Sequence, residues 1–217
     1  MSTPVRAATS NPQPVGLDFK EPMTGTAVID GKRVSVSFKL QAHIPDIDGF
    51  TRDPKRTAML SGTVKVGTRE VPVSGTLNLM EQGDASQGNP GHYLEYRLET
   101  PAGVQPPVRF AGTKQVKDDK GFDMPGDLTT LRGNFLPPGV PMDGKAEAKH
   151  PSVEMRFEWK NPLVMARFLA SFHAVQGGRD APLRTPEALA KFAKVYGGGI
   201  LAEFTPFVAK GLGWLVN

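Results

Sequence analysis

The chain has no cysteine, which removes disulfides, thiol nucleophiles, iron–sulfur clusters and Cys-ligated zinc together. It has no apolar run of the ~20 residues that a membrane-spanning helix needs. Strong charge of either sign is missing as well: the formal net charge is +4, and the basic residues are scattered along the chain. Scattered charge gives no electrostatic footprint for nucleic acid, and no nucleic-acid partner is expected. Histidine is scarce, and His43, His92, His150 and His173 include no pair at a metal-ligand spacing such as HxxxH. A Gly-x-Ser-x-Gly elbow, a P-loop and a dinucleotide fingerprint are absent, so no cofactor is expected. The opening stretch "MSTPVRAATSNPQPVG" lacks the apolar segment of a secretory signal. The expectation is a cytoplasmic protein whose residues 1–16 form a mobile arm.

What is present is alternation. In "RVSVSFKLQAHI", Val34, Val36, Phe38, Leu40, Ala42 and Ile44 share one parity, while Arg33, Ser35, Ser37, Lys39, Gln41 and His43 share the other. A period of two is the mark of a strand with one buried and one wet face. The same pattern predicts strands in "LSGTVKV" and "VPVSGTLNLM", joined at "GTRE", then over Tyr93–Thr100, Val108–Lys117, Leu128–Leu136 and "SVEMRFEWK". Such a series with short turns implies an antiparallel barrel, lipocalin-like with seven to nine strands, over residues 17–160. Closure hides the sheet edges that would otherwise invite pairing with another chain. A two-sheet sandwich is the alternative.

The period then changes. Asn161 and Pro162 read as the N-cap and first position of a helix that runs to Gly177–Gly178, and Thr185, Pro186 and Glu187 open a second. Residues 161–217 are expected to form a helical cap on the barrel, within the same domain. The run Gly197–Gly199 interrupts the second helical pattern, either breaking the helix or admitting a close neighbour.

The chemistry-bearing candidates follow from these parities. Val108, Phe110, Gly112, Lys114 and Val116 share a face, so Lys114 points inward with Phe110. An inward lysine is costly unless it is paired or wetted. It either meets a ligand's polar group or acts as a base, and the plainer reading is a lysine at the barrel mouth reaching water. Tyr96 shares its side with Leu94 and Leu98. Phe38, Phe110, Phe157, Phe172 and Tyr196 are the aromatic candidates for lining an apolar cavity, against the plainer role of packing helices on the sheet. "KDDKGFD" reads as a turn. Its Asp118, Asp119 and Asp123, with Asp127, supply oxygens of the kind calcium takes, although the EF-hand spacing is absent, so no metal is the preferred reading.

Several segments, in order, resemble a known domain: "FKEPMTG" (19–25), "IPDIDGFTRDPKRTAMLSGTV" (44–64), "GTLNLM" (75–80), "YLEYRL" (93–98), "FAGTKQVKDDKGFDMPGDLTTL" (110–131) and "YGGGILAEF" (196–204). The succession is similar to the accessory domain attached to bacterial cholesterol-oxidase-like flavoproteins of the glucose–methanol–choline (GMC) oxidoreductase family, also found with α/β-hydrolase partners. The sequence departs from that pattern at Leu77-Asn78, where Phe-Asn is usual, and at Met124-Pro125, where an aromatic is common. The flavin-binding fingerprint is missing, so oxidase activity does not carry over, and no catalytic residues are transferred.

The resemblance implies a module working beside lipid or sterol oxidation. Three functions are then on the table. The first is a lipid- or sterol-binding accessory or carrier barrel, not an enzyme, with Lys114 or Tyr96 meeting one polar head group. The second is a small cofactor-independent isomerase, cyclase or hydratase on a lipid-like substrate, with Lys114 and an aspartate such as Asp127 sharing acid–base work. The third is a docking module for a GMC oxidoreductase or an α/β-hydrolase.

Overall fold

The computed structural model describes residues 13–82, 92–116 and 129–195. Eight antiparallel strands follow one another and close into a barrel: β1 (Val15–Ile29), β2 (Lys32–Ile44), β3 (Thr57–Val66), β4 (Arg69–Gln82), β5 (His92–Glu99), β6 (Arg109–Val116), β7 (Thr130–Phe135) and β8 (Val153–Arg156). Closure is made where β8 pairs back onto β1, Thr24 opposite Arg156 through Ala27 opposite Val153. A closed antiparallel barrel replaces the sandwich alternative.

Gly25 makes this seam possible. A Cβ on it would stand 2.6 Å from the Met155 Cα and closer still to the Glu154 carbonyl oxygen, so only glycine lets the two backbones approach. The alternation in β2 sorts as expected: Val36, Phe38, Leu40, Ala42 and Ile44 are buried and join the core, while Arg33, Lys39 and Gln41 are exposed. Phe38 and Phe110 meet edge to face with ring centroids 5.1 Å apart, and both lie with Phe157 in one core cluster.

β1 is longer than its closing partner. Its first residues, Val15–Asp18, pair instead with β9 (His173–Gln176), which forms a small hairpin with β10 (Arg179–Asp180). The strand therefore begins two residues inside the stretch read from sequence as an arm; residues 1–12 lie outside the described part. Between these two partners, from Phe19 to Met23, no strand pairs with β1 on that side among the described residues. The Lys20 N–H donates instead to Ser171 Oγ at 2.9 Å. Pro22, which has no N–H to offer, occupies this break, as proline in a strand requires an unpaired position.

The break is covered by the helix between β8 and β9. α3 (Pro162–Ala170) starts as the sequence predicts, with the Asn161 side chain accepting from the Leu163 and Val164 N–H groups, but it stops at Ala170. The expected continuation to Gly177 is wrong, because His173–Gln176 is claimed by the open edge of β1. Residues 161–195 thus contain a β-hairpin as well as helices. α4 (Thr185–Val195) lies near the end of the barrel from which β1 starts. There Phe192 faces Phe19 at 5.6 Å and Phe50 at 6.0 Å. Phe50 belongs to α1 (Ile47–Arg52), and Lys191 on α4 binds Asp48 on α1 at 2.8 Å. A short helix α2 (Gly144–Glu147) packs on the outer face of β5 and β6. Gly197–Gly199 lie outside the described residues.

Candidate functional site

Strand parity delivers three polar side chains to one point in an apolar interior. On β1, Leu17, Phe19, Glu21 and Met23 point inward together. β6 contributes Lys114, two residues beyond Gly112. β5 places Tyr96 opposite Gly112 and Leu94 opposite Lys114. Lys114 is 2% exposed, Glu21 7% and Tyr96 0%. Lys114 Nζ forms a salt bridge with Glu21 Oε1, and the Tyr96 hydroxyl donates to the same oxygen at 2.7 Å. The ammonium also lies 5.3 Å from the centroid of the Tyr96 ring, which favours a cation over its face.

Two pieces of hydrogen-bonding capacity remain inside. Glu21 Oε2 is buried and has no hydrogen-bond partner among the described residues. Lys114 has three N–H donors, and among the described residues its hydrogen bond goes to Glu21. Burying a pair of charges forfeits hydration worth several kcal/mol per ion, which mutual attraction returns only when the remaining lone pairs and protons are satisfied. Here they are not. A pair of this composition can hold a polar group by one acceptor and one donor, or exchange a proton with it.

The sequence reading of Lys114 as inward is correct, and its reading as a residue snorkelling to water is not: the side chain is held inside by Glu21. Among the described residues, the carboxylate partner of Lys114 is on β1. Asp118, Asp119, Asp123 and Asp127 lie outside the described residues, as does Tyr196. Among the described residues no His, Asp and Glu cluster has the make-up of a metal site. The remaining aromatics divide by location. Phe38 and Phe110 sit in the barrel; Phe157 meets Phe168 at 5.0 Å beneath α3; Phe172 stacks on Phe19 at 4.8 Å, next to the break in the wall. Glu21 was missed, yet a signal was there. It is a carboxylate on the apolar parity of Phe19 and Met23, the same anomaly that singled out Lys114.

Two further polar clusters lie on the outside. Glu95 is 2% exposed, accepts from Arg97 at 2.9 and 3.0 Å and from the Gly144 N–H at 2.9 Å, and so ties α2 to the wall. Burial on this outer face raises the Tyr93 hydroxyl above the ordinary tyrosine range. Asp18 stands between His43 and His173, with His43 Nδ1 at 2.6 Å from one carboxylate oxygen and His173 Nε2 at 4.0 Å from the other. His173 is therefore a strand residue of β9, not a helical one. A surface groove of about 380 Å³ runs beside His43 and Pro45, bordered by Val175 and Gly177. Its lining does not include Glu21, Lys114 or Tyr96.

The fold and site together define an eight-stranded antiparallel barrel with a salt-bridged polar centre in its interior. Comparison with protein-family models, curated proteins and solved structures finds no match for the chain.

Proposed function

We propose that the barrel binds a largely apolar molecule, of lipid or sterol type, whose one polar group meets Glu21, Lys114 and Tyr96. The observation that carries this reading is Glu21 Oε2, a buried carboxylate oxygen without a partner among the described residues, beside an ammonium whose hydrogen bond there goes to Oε1. Proteins rarely leave such groups unmet, because each costs about 1–3 kcal/mol or more when charged. The apolar walls favour an apolar body for the ligand, and eight-stranded barrels either fill with side chains or hold one small ligand. The lipocalin-like description belongs to this proposal, as do an accessory or carrier role beside lipid or sterol oxidation and a GMC oxidoreductase or α/β-hydrolase as partner. The last two rest on the resemblance of segments such as "FKEPMTG" and "FAGTKQVKDDKGFD". The first of these segments contains Glu21 and the second Lys114.

The test is native mass spectrometry of the full chain together with saturable binding of an apolar fluorescent probe. Copurified lipid, or a one-to-one probe complex displaced by lipid, supports the reading. A chain that carries no lipid and binds no probe overturns it.

A second reading has its own support. A lysine and a glutamate in contact within an apolar core form an acid–base pair, as a cofactor-independent isomerase, cyclase or hydratase requires. It predicts turnover of a bound lipid that Glu21→Gln abolishes while binding persists. Unchanged ligand recovered from the unmodified protein favours the carrier.

A further inference from the structure

Resting on the binding reading above, we infer that the ligand's polar group is a neutral alcohol hydroxyl, and that the site discriminates against a free carboxylate. The two open positions belong to one carboxylate–ammonium pair, since Lys114 is bonded to Oε1 of the same carboxylate whose Oε2 lacks a partner. A group seated there has to donate to Glu21 Oε2 and accept from Lys114 Nζ. The Tyr96 hydroxyl already donates to Oε1 and so does not serve Oε2. An alcohol carries one O–H donor and two acceptor lone pairs, and so meets both demands with one oxygen.

The other common lipid polar groups each fail one demand. An ether or ketone accepts from Lys114 but leaves Oε2 unpaired. A carboxylate also only accepts, and it places a second negative charge against Glu21 with a single lysine to balance both. An ammonium donates but sets a like charge beside Lys114 and offers it no lone pair. A site built to hydrogen-bond a hydroxyl rejects analogues lacking one, because its own buried groups are then left unmet.

The test is competitive displacement of an apolar fluorescent probe from the full chain at neutral pH. The competitors are cetyl alcohol, its methyl ether and palmitic acid, with cholesterol and its methyl ether as a rigid second scaffold. The alcohols should displace about tenfold more tightly than their ethers and than the acid. In Glu21→Gln the alcohol-to-acid ratio should collapse, because the negative charge that excludes the acid has gone; the ranking in the unmodified protein stands whether or not this variant folds. An acid or ether that competes as well as its alcohol overturns the hydroxyl inference and leaves the binding reading intact. A protein that binds the probe and none of the competitors, or no probe at all, overturns the binding reading and the inference with it.

Discussion

Replacing Lys114 by Met, Glu21 by Leu, and then both together separates a pair kept for stability from a pair kept for a ligand. In Lys114→Met the buried carboxylate of Glu21 loses its cation and retains only the Tyr96 hydroxyl. Stranding a buried charge in this way costs about 3–5 kcal/mol. With a urea slope of about 2 kcal/mol/M for a chain of this size, the unfolding midpoint should fall by about 2 M. Glu21→Leu strands the ammonium and should cost a similar amount.

The double variant removes both charges with side chains of comparable volume, at the expense of one Tyr96 hydrogen bond worth about 1 kcal/mol. Swaps of this kind are commonly neutral or stabilising by about 1–4 kcal/mol. The double variant should therefore unfold near the unmodified protein, giving a coupling of about 6 kcal/mol or more in the cycle. It should also lose its preference for hydroxyl-bearing ligands. Urea denaturation followed by tryptophan fluorescence reads the stabilities. If the double variant falls as far as the single ones, the pair is a structural requirement, and the argument from an unmet carboxylate oxygen loses its force.

Gly25→Val should open the seam between β1 and β8, since any Cβ there meets the backbone of Glu154 and Met155; a loss of about 3 kcal/mol or more is expected in urea unfolding. Phe19→Ala removes the ring that Phe172 and Phe192 both contact, and should cost about 3–5 kcal/mol. Asp53 is held below the ordinary aspartate range by the Thr57 and Lys55 backbone N–H groups, each at 3.0 Å from its carboxylate. A carboxyl depressed by folding contributes stability that is present above the unfolded value near ~4 and is lost as pH falls through the folded value. The deficit of Asp53→Ala, about 1 kcal/mol at neutral pH, should thus vanish in acid; a deficit constant with pH would show that the loop is held by other means.

Strand parity was the most legible layer of the sequence. It separated the buried from the wet face of β2 over residues 33–44 and turned Lys114 inward, because a period of two is imposed by backbone geometry and needs no knowledge of neighbours. The partner of Lys114 was harder to find. Glu21 lies 93 residues earlier in the chain, and only closure of the barrel brings the two together. The strand at His173–Gln176 was illegible for a related reason. Its residues follow a well-capped helix directly, and their extended state is set by the unsatisfied edge of Val15–Asp18.

The interrupted flank of β1 decides how such an interior would be reached. Along the ladders described for the other strands, parting two staves of the barrel means breaking backbone hydrogen bonds. Between Thr24 and Asp18 the cover is a panel of side chains: one hydroxyl contact from Ser171, with the ring of Phe172 stacked on Phe19 and backed by Phe168. Lifting α3 as a flap would uncover the stretch of wall that carries Glu21 while every interstrand bond stays in place. The guest's entrance and its anchor would then be neighbours on a single strand.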